Sequence, residues 1–346
     1  MAGELKVGVI GLGMGRVHLE GYQSHPGCSV VAICDTDIDR LEQVGKHFRI
    51  AGRYTDAAVM FAKEQLDVVS IAVPNTYHKP LTLQALQAGC HVLCEKPMAM
   101  NAAEAEDMLA AATKAKRRLM INFSFRFIDQ SQALKREVDT GILGDIYFGR
   151  TLWLRRRGMP GFGGWFGTKA LSGGGPLIDL GVHRLDLALW LMGYPKPVWV
   201  MGNTWNAIAG PLAAKAQKTF DVEDFAAGMI RFENGAMLEV EASWASNIGD
   251  NEMVETRLLG TKGGLLQKTG EDWRVTAEIY TERNGCQYDT RLHPPVPGSC
   301  SSMYHFIQCI QDGVAHDADA EQGLVVMRLL DALYRSAESG EPVKLA

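Results

Sequence analysis

The stretch that decides the fold is residues 6–16, KVGVIGLGMGR. Its apolar run at 6–10 predicts a buried strand, and the pattern at 16–24 predicts a helix. Three glycines separate the two, at Gly11, Gly13 and Gly15. A strand, a glycine turn and a helix in this order are typical of the phosphate-binding end of a doubly wound α/β sheet.

The same alternation continues as far as residue 123. Strands of four to six apolar residues that alternate with helices indicate a parallel sheet covered on both faces. Residues 1–123 are therefore predicted to form a nucleotide-binding domain. The further strands expected in it are 29–34, 68–73, 91–94 and 119–123, and the further helices are 38–48, 80–88 and 101–116.

The pattern changes after residue 124, because strand-like runs then follow one another with few helices between them. This predicts a second, α+β domain over 124–346, with a large and mostly antiparallel sheet and a final helix that can pack back on the first domain. Its expected strands are 145–154, 197–205, 224–232, 236–243, 252–259, 264–268, 273–275 and 277–281, and its expected helices are 131–140, 176–191, 301–311 and 321–338.

Composition narrows the class of protein. The chain has 346 residues, is 47% hydrophobic and carries a formal net charge of -5, which argues against a general nucleic-acid binder. It shows neither a secretory signal pattern nor a run of about 18 uncharged apolar residues, so no membrane association is expected. Seven widely spaced cysteines suit free thiols in the cytoplasm better than disulfides, and they predict no metal site.

The glycine turn, which includes Met14, departs from the usual dinucleotide fingerprint because its last glycine comes one position early. An acid follows the second strand at Asp35, about 20 residues on, where such sites bind ribose hydroxyls. A carboxylate there repels a 2′-phosphate and favours NAD over NADP. Two points stay open: Asp35 can instead cap the following helix, and Arg40 lies close enough to bind a phosphate.

Polar residues also follow the later strands of the first domain. Because ligands bind beyond the carboxyl ends of parallel strands, these residues are candidates for contacts with the nicotinamide half of the cofactor, although capping of a helix explains Asn75 equally well. The candidates are Val73, Pro74, Asn75 and His78 after the third strand, Glu95 and Lys96 after the fourth, and Asn122 after the fifth.

Three residues have the chemistry of proton transfer. Lys96 can stabilise a developing alkoxide, or it can simply pair with Glu95. Asp179 and His183 are four apart on one face of an apolar helix, where they form either an acid–base pair or a structural brace.

The loop over 155–175 is rich in glycine and aromatic residues, as functional loops often are. Arg156 and Arg157 can bind hydroxyls or an anion, and Trp165 can stack on a sugar or border the nicotinamide. Arg126, after the fifth strand, is a further candidate for substrate contact. The alternative is a solvated strand end beside a packed aromatic loop.

Three motifs in order carry a family resemblance: the glycine turn followed by RVH at 16–18, EKP at 95–97, and the glycine-rich stretch that leads into Asp179 and His183. Together they resemble the Gfo/Idh/MocA oxidoreductases over essentially the whole chain. The resemblance implies a Rossmann domain, a second domain with an open sheet through which dimers or tetramers form, and hydride transfer between NAD and a sugar, inositol or other polyol. It also implies that Lys96 is the catalytic lysine, His183 the general base and Asp179 its partner.

Two other functions remain open at this point. An NAD-dependent glycoside hydrolase, which oxidises a ring carbon transiently, needs the same lysine and histidine. A binding protein that kept the fold is disfavoured, because the lysine, aspartate and histidine are all present.

Overall fold

The computed structural model describes residues 3–270, 272–293 and 295–345. The chain forms two units, one made of Met1–Phe123 with Cys300–Met327 and the other of Ser124–Ser299 with Arg328–Ala346. The first unit thus contains a late segment that the sequence pattern assigned to the second domain.

The first unit is built on a parallel sheet with strand order β3-β2-β1-β4-β5-β6. The apolar run of β1 is buried because helices cover the sheet. The order reverses between β1 and β4, which is where doubly wound sheets bind ligands. The strands are β1 Leu5–Ile10, β2 Cys28–Cys34, β3 Gly52–Tyr54, β4 Val68–Ile71, β5 His91–Cys94 and β6 Leu119–Ile121, and the helices are α1 Gly15–Gln23, α2 Ile38–His47, α3 Ala57–Lys63, α4 His78–Gln87 and α5 Ala102–Ala115.

The structure adds β3 and α3 to the elements expected from the sequence. Both are short, and three residues of strand are too few to show an alternating pattern. Asp56 caps α3 by accepting the N–H of Ala58 at 2.8 Å, which is the local signal for this helix.

The second unit contains a nine-stranded sheet with order β14-β13-β12-β11-β7-β10-β9-β8-β15. In the described part of the chain its neighbouring strands pair antiparallel, except that β7 and β10 run parallel. The predicted fold class is therefore confirmed. The strands are β7 Ile146–Arg155, β8 Pro197–Trp205, β9 Phe225–Phe232, β10 Met237–Ser243, β11 Glu252–Gly260, β12 Gly263–Thr269, β13 Val275–Arg283, β14 Cys286–Leu292 and β15 Val343–Lys344.

One face of this sheet packs against helices. Leu134, in the helix at 129–139, and Leu187, in the helix at 182–191, pack with Leu258 and Ile279 of the sheet in a buried apolar core. This core holds the helix at 182–191 in place, and that helix also carries His183. The helices are α6 Asp129–Asp139, α7 Lys169–Ser172, α8 Val182–Leu191 and α9 Ala209–Lys215.

The strand β14 is a further addition, because its sequence CQYDTRL is polar and mostly exposed and gives no hydrophobic alternation. The two short strands expected at 273–275 and 277–281 form one strand, β13, and Trp273 lies in the turn before it.

The last helices are α10 Ser302–Asp312 and α11 Ala320–Ser339, and the division between the units falls inside α11. Within the first unit, α10 packs closely on α1. A Cβ on Gly21 would lie 2.7 Å from Met303 Cε, and Gln311 donates to the carbonyl of Gly27 at 2.9 Å. These contacts explain why α10 belongs to the first unit.

Among residues 3–270, 272–293 and 295–345, the helices are all too short or too polar to cross a membrane. The seven cysteines are free thiols, and five of them are buried.

Candidate active site

The glycine turn joins β1 to α1 along a path that suits glycine. Gly11 has a φ of +83°, and a Cβ on it would lie 2.3 Å from the carbonyl oxygen of Ala72. Beside Gly13 there is open space, and a Cβ on Gly15 would lie 3.0 Å from Val9 Cγ1. The glycines therefore provide a tight turn, an open approach for a ligand and close packing of α1 on β1. Although Gly15 comes one position earlier than in the usual fingerprint, it still allows α1 to pack closely on β1.

Asp35 follows β2 directly and is 7% exposed. Its Oδ2 accepts the N–H of Leu12 at 2.8 Å and a guanidinium hydrogen of Arg40 at 3.2 Å. The cap of α2 is Asp37, which accepts the N–H of Arg40 at 3.0 Å. The alternative in which Asp35 caps the helix is therefore wrong. Asp35 instead ties the end of β2 to the glycine turn.

The loop after β4 contains Val73 and Pro74 and leads into a 3-10 turn that begins at the buried Asn75. His78 is fully buried, with its ring nitrogens 2.7 Å from the carbonyl oxygen of Pro97 and 2.9 Å from that of Val73. Burial lowers the pKa of His78. The expected contact of His78 with a ribose is corrected, because the ring has no exposed surface and joins the loops after β4 and β5.

A buried polar network holds the backbone beside Lys96. Glu95 Oε1 lies 2.8 Å from Nε2 of His18 and accepts from the amide of Asn122 at 2.6 Å, while Glu95 Oε2 accepts the N–H of Lys96 at 3.1 Å. Because an ionised carboxylate only accepts, Nε2 of His18 is the donor. The other ring nitrogen of His18 lies 2.7 Å from the hydroxyl of Ser70.

Glu95 and Asn122 serve this network. Burial alone would raise the pKa of Glu95, but the hydrogen bonds from His18 and Asn122 and the charge of His18 lower it to about 2. The amide oxygen of Asn122 accepts the hydroxyl of Ser302 at 2.6 Å. Glu95 and Asn122, with 9% and 6% exposure, support the turn at Lys96, and their expected contact with the cofactor stays a prediction.

In the second unit, Asp179 and His183 lie on a helix that begins with a wide turn. The segment Leu177–Gly181 is a π-helical turn that continues into α8. The sequence predicted one regular helix, because apolar periodicity does not reveal a single added residue in a turn. Such π-turns frequently occur at functional sites.

A buried carboxylate supports this turn. Glu223 accepts the N–H groups of Gly175 at 2.8 Å and Leu177 at 3.1 Å, and it accepts the hydroxyl of Tyr334 at 2.8 Å. Burial raises the pKa of Glu223. The first backbone donors of the helix are thus satisfied by a side chain that lies 46 to 48 residues further along the chain.

Aromatic rings surround the acid and the imidazole. Trp244 donates its indole N–H to Asp179 Oδ2 at 3.1 Å. The ring of His183 lies 5.0 Å from that of Phe125 and 5.9 Å from that of Trp153, centroid to centroid. These contacts restrict the orientation of both side chains. An imidazole held in this way can exchange a proton with a hydroxyl group.

Comparisons with known proteins now identify the family. Residues 5–123 match the description "Oxidoreductase family, NAD-binding Rossmann fold", and residues 131–266 match "GFO/IDH/MocA C-terminal domain". The chain belongs to the Gfo/Idh/MocA family of oxidoreductases.

Several members of the Gfo/Idh/MocA family are similar over their full length. D-glucoside 3-dehydrogenase of Escherichia coli is 36% identical over 351 aligned positions, 99% of this chain and 97% of that one. D-apiose dehydrogenase of Paraburkholderia graminis is 31% identical, over 98% and 89% of the two chains. The crystal structure of aldose-aldose oxidoreductase from Caulobacter crescentus, complexed with glycerol, has a TM-score of 0.85 and 27% identity, over 99% and 100%. All three names are those of oxidoreductases, which favours this class over a glycoside hydrolase.

The family model that matches the first unit describes an NAD-binding Rossmann fold, and the residues of this unit fit NAD. The glycine turn stands at the carboxyl end of β1, beside the point where the strand order reverses. The N-terminus of α1 follows the turn and favours a pyrophosphate. The carboxylate of Asp35 at the end of β2 suits the ribose hydroxyls.

Arg126 does not have the expected role in substrate binding. Its guanidinium is fully buried and bonds to Asp186 at 2.5 Å and 2.8 Å, and to the hydroxyl of Tyr194. Arg126 therefore braces the second unit internally, and the prediction is corrected.

The three arginines at the end of β7 have different surroundings. Arg156 is exposed, and Arg157 donates to Asn247 Oδ1 at 2.9 Å in a neighbouring turn. Arg155, which the sequence analysis did not select, lies with its guanidinium 5.4 Å from the ring centre of Trp153 and donates to Glu252 at 2.7 Å. The alternation of a strand was the available signal, because residues 153 and 155 share one face.

Trp165 connects to Asp179 through a series of aromatic rings. Its ring stacks on Phe166 at 3.8 Å, and Phe166 meets Trp244 edge to face at 6.3 Å. Trp244 in turn holds Asp179. This arrangement keeps Trp165 as a candidate for substrate contact.

Proposed function

We propose that this protein oxidises a secondary hydroxyl group of a sugar, an inositol or a glycoside, with NAD as the oxidant, and that it reduces the corresponding ketone in reverse. The observation that carries the proposal is that aromatic rings contact both Asp179 and His183, which lie four residues apart on one helix, since such rings suit the apolar faces of sugars. Similarity to D-glucoside 3-dehydrogenase supports a glucoside, oxidised at C3.

In this proposal the imidazole of His183 accepts the proton of the reacting hydroxyl. Asp179, which is bonded to Trp244, orients the imidazole and stabilises its protonated form. The ammonium group of Lys96 stabilises the negative charge on the substrate oxygen as the C–H bond breaks. NAD, when bound, would supply the oxidation as the acceptor of the hydride from that carbon. A ketone and a proton on His183 result.

The proposal also assigns the contacts of cofactor and substrate. The turn from Gly11 to Gly15, including Met14, binds the pyrophosphate, and Asp35 binds the ribose. Asn75 lies beside the same edge of the sheet and is the candidate for the nicotinamide half. Arg155 and Trp165 are the candidates for the substrate hydroxyls, together with the exposed Arg156.

A substrate panel tests the function directly. Purified protein with NAD is mixed with sugars, inositols, and alkyl and aryl glycosides, while absorbance at 340 nm and release of the aglycone are followed in parallel. We expect NADH to accumulate with at least one D-glucoside and the glycosidic bond to survive. Release of aglycone without net formation of NADH would contradict the proposal.

Replacement of Asp35 by alanine is expected to weaken NADH binding about tenfold more than NADPH binding, since one charge-assisted hydrogen bond is worth about 1.5 kcal/mol. The variant also frees Arg40, which donates to Asp35 in the wild type, to bind a 2′-phosphate. Both dissociation constants are measured by fluorescence titration.

The matched control is Asp37→Ala, which removes the cap of α2 but leaves Asp35 in place. We expect it to lower stability by about 1 kcal/mol without a change in cofactor preference. Equal losses of NADH and NADPH affinity in Asp35→Ala would remove the specificity argument.

We propose further that the protein is a cytoplasmic homodimer or homotetramer that assembles through the open face of the nine-stranded sheet. A shallow depression on this sheet is lined by Trp199, Met201 and Met229, and Met201 is 48% exposed. Such a surface is typical of an interface. The free thiols suit a reducing compartment. Sedimentation velocity measures the mass, and a monomer would refute the assembly.

A further inference from the structure

The turn between β12 and β13 places a large aromatic side chain in an unusual backbone conformation. Trp273 has a φ of +60°, in the left-handed region where a residue with a Cβ is strained. The turn is defined by bonds from the N–H of Trp273 to the carbonyl of Gly270 at 3.0 Å, and from the N–H of Gly270 to the carbonyl of Arg274 at 2.8 Å. A glycine at position 273 would adopt this conformation without strain.

The indole of Trp273 gains little burial in return, since the residue is 56% exposed. Its ring meets Trp153 edge to face, with 6.1 Å between centroids and 66° between planes. A strained backbone that holds an exposed aromatic ring breaks a local rule without an evident gain in stability, and such positions are often functional.

Trp153 links Trp273 to the proposed general base. It is 5% exposed and donates its indole N–H to Glu252 at 2.6 Å, so its orientation is fixed. Its ring lies 5.9 Å from that of His183 and 6.1 Å from that of Trp273. Trp273 is therefore two ring contacts away from His183.

Polar groups accompany this row of rings. Arg155 donates to Glu252 at 2.7 Å, and both side chains keep about a quarter of their surface exposed. A partly exposed arginine and carboxylate in the same row of residues as an exposed indole offer hydrogen bonds to hydroxyls, while the indole offers a face for C–H groups. This combination suits a second ring of a carbohydrate.

We propose that Trp273, together with Arg155 and Glu252, forms a subsite for the aglycone ring of a glycoside whose reacting sugar lies at His183. This rests on the function proposed above and narrows the substrate to glycosides that carry a second ring. Trp273 sets specificity, because it binds the part of the substrate that does not react.

The test compares two substrates that differ only in the aglycone, phenyl β-D-glucopyranoside and methyl β-D-glucopyranoside, by NADH formation in the NAD-saturated enzyme. We expect Trp273→Ala to raise KM for the phenyl glucoside about tenfold, with kcat within twofold of wild type, and to change KM for the methyl glucoside less than twofold. Trp273→Phe is expected to restore most of the affinity for the phenyl glucoside.

Two further variants separate the ring from the backbone. Trp273→Gly relieves the left-handed conformation, so it is expected to melt no lower than wild type while it shows the same tenfold rise in KM. Tyr288→Ala removes another exposed ring, which lies on β14 opposite Thr281, near the end of β13 that is far from Trp273. This variant is expected to leave both KM values unchanged.

The outcomes are distinct. A rise in KM that is equal for the two glucosides, no rise at all, or a change in oligomeric mass in place of KM would overturn the subsite and leave the proposed function intact. If the wild-type enzyme formed no NADH from either glucoside, the proposed glucoside oxidation would fail and the subsite would fail with it.

Discussion

Replacement of Lys96 by alanine is expected to lower kcat about a thousandfold while the dissociation constant of NADH changes less than about threefold. The ammonium group acts on charge that develops on the substrate oxygen during the reaction, so its loss affects the transition state more than the bound cofactor. The backbone at this position stays in place, because Glu95 remains bonded to His18 and Asn122. Stopped-flow NADH formation and a fluorescence titration measure the two quantities.

Lys79→Ala is the matched control for Lys96→Ala. Lys79 lies in the same unit on α4, and its ammonium group pairs with Asp107 at 2.6 Å, so its removal is expected to leave kcat within twofold of wild type. If Lys96→Ala lost NADH binding and activity together, Lys96 would be a cofactor-binding or folding residue, and the proposed role of its ammonium group would be wrong.

The second large effect concerns stability. Glu95→Gln is expected to destabilise the protein by about 3 kcal/mol at pH 7, because it breaks a buried charged network and leaves the donors of His18 and Asn122 poorly matched. The melting temperature is expected to fall by roughly 5–10 °C. Activity is expected to fall as well, since Glu95 positions the turn that carries Lys96.

The pH dependence identifies the carboxylate as the cause. The pKa of Glu95 in the folded protein, about 2, lies below its ordinary value of 4.5. The ionised network therefore stabilises the fold above about pH 4.5, and this contribution is lost as the pH falls toward 2. We expect the difference in melting temperature between wild type and Glu95→Gln to be largest at pH 7 and to shrink at pH 3.

Glu42→Gln provides the comparison for Glu95→Gln. Glu42 forms a surface pair with Arg53 at 2.8 Å and is 45% exposed, so its replacement is expected to cost less than about 1 kcal/mol. A difference for Glu95→Gln that is equally small, or independent of pH, would contradict the role assigned to the buried network.

The fold and the site differ in how far the sequence predicts them. The glycine turn, the EKP tripeptide and the helix with Asp179 and His183 depend on local spacing, and local spacing is visible in a sequence. The supporting residues depend on tertiary contacts. Glu223 reaches the start of the π-turn from 46 to 48 residues along the chain, and His18 reaches Glu95 across 77 positions, so no periodicity marks either of them.

The predictions that were wrong share one physical reason. His78 and Arg126 follow strands at the edge where ligands bind, and the sequence cannot show whether such a polar side chain faces the ligand or the protein. In the structure His78 bonds to two carbonyl oxygens, and Arg126 pairs with Asp186. Burial decided their roles, and burial depends on packing that follows only from the assembled fold.

The order of segments along the chain has a consequence for synthesis. The helix α10 packs on α1, with Met303 against Gly21, yet the ribosome makes it only after the whole of 124–299 has been translated. At about 5–20 residues per second the delay is roughly 10–35 s. During that time the newly made first unit exposes the surface that α10 later covers, and such an uncovered surface is what chaperones bind.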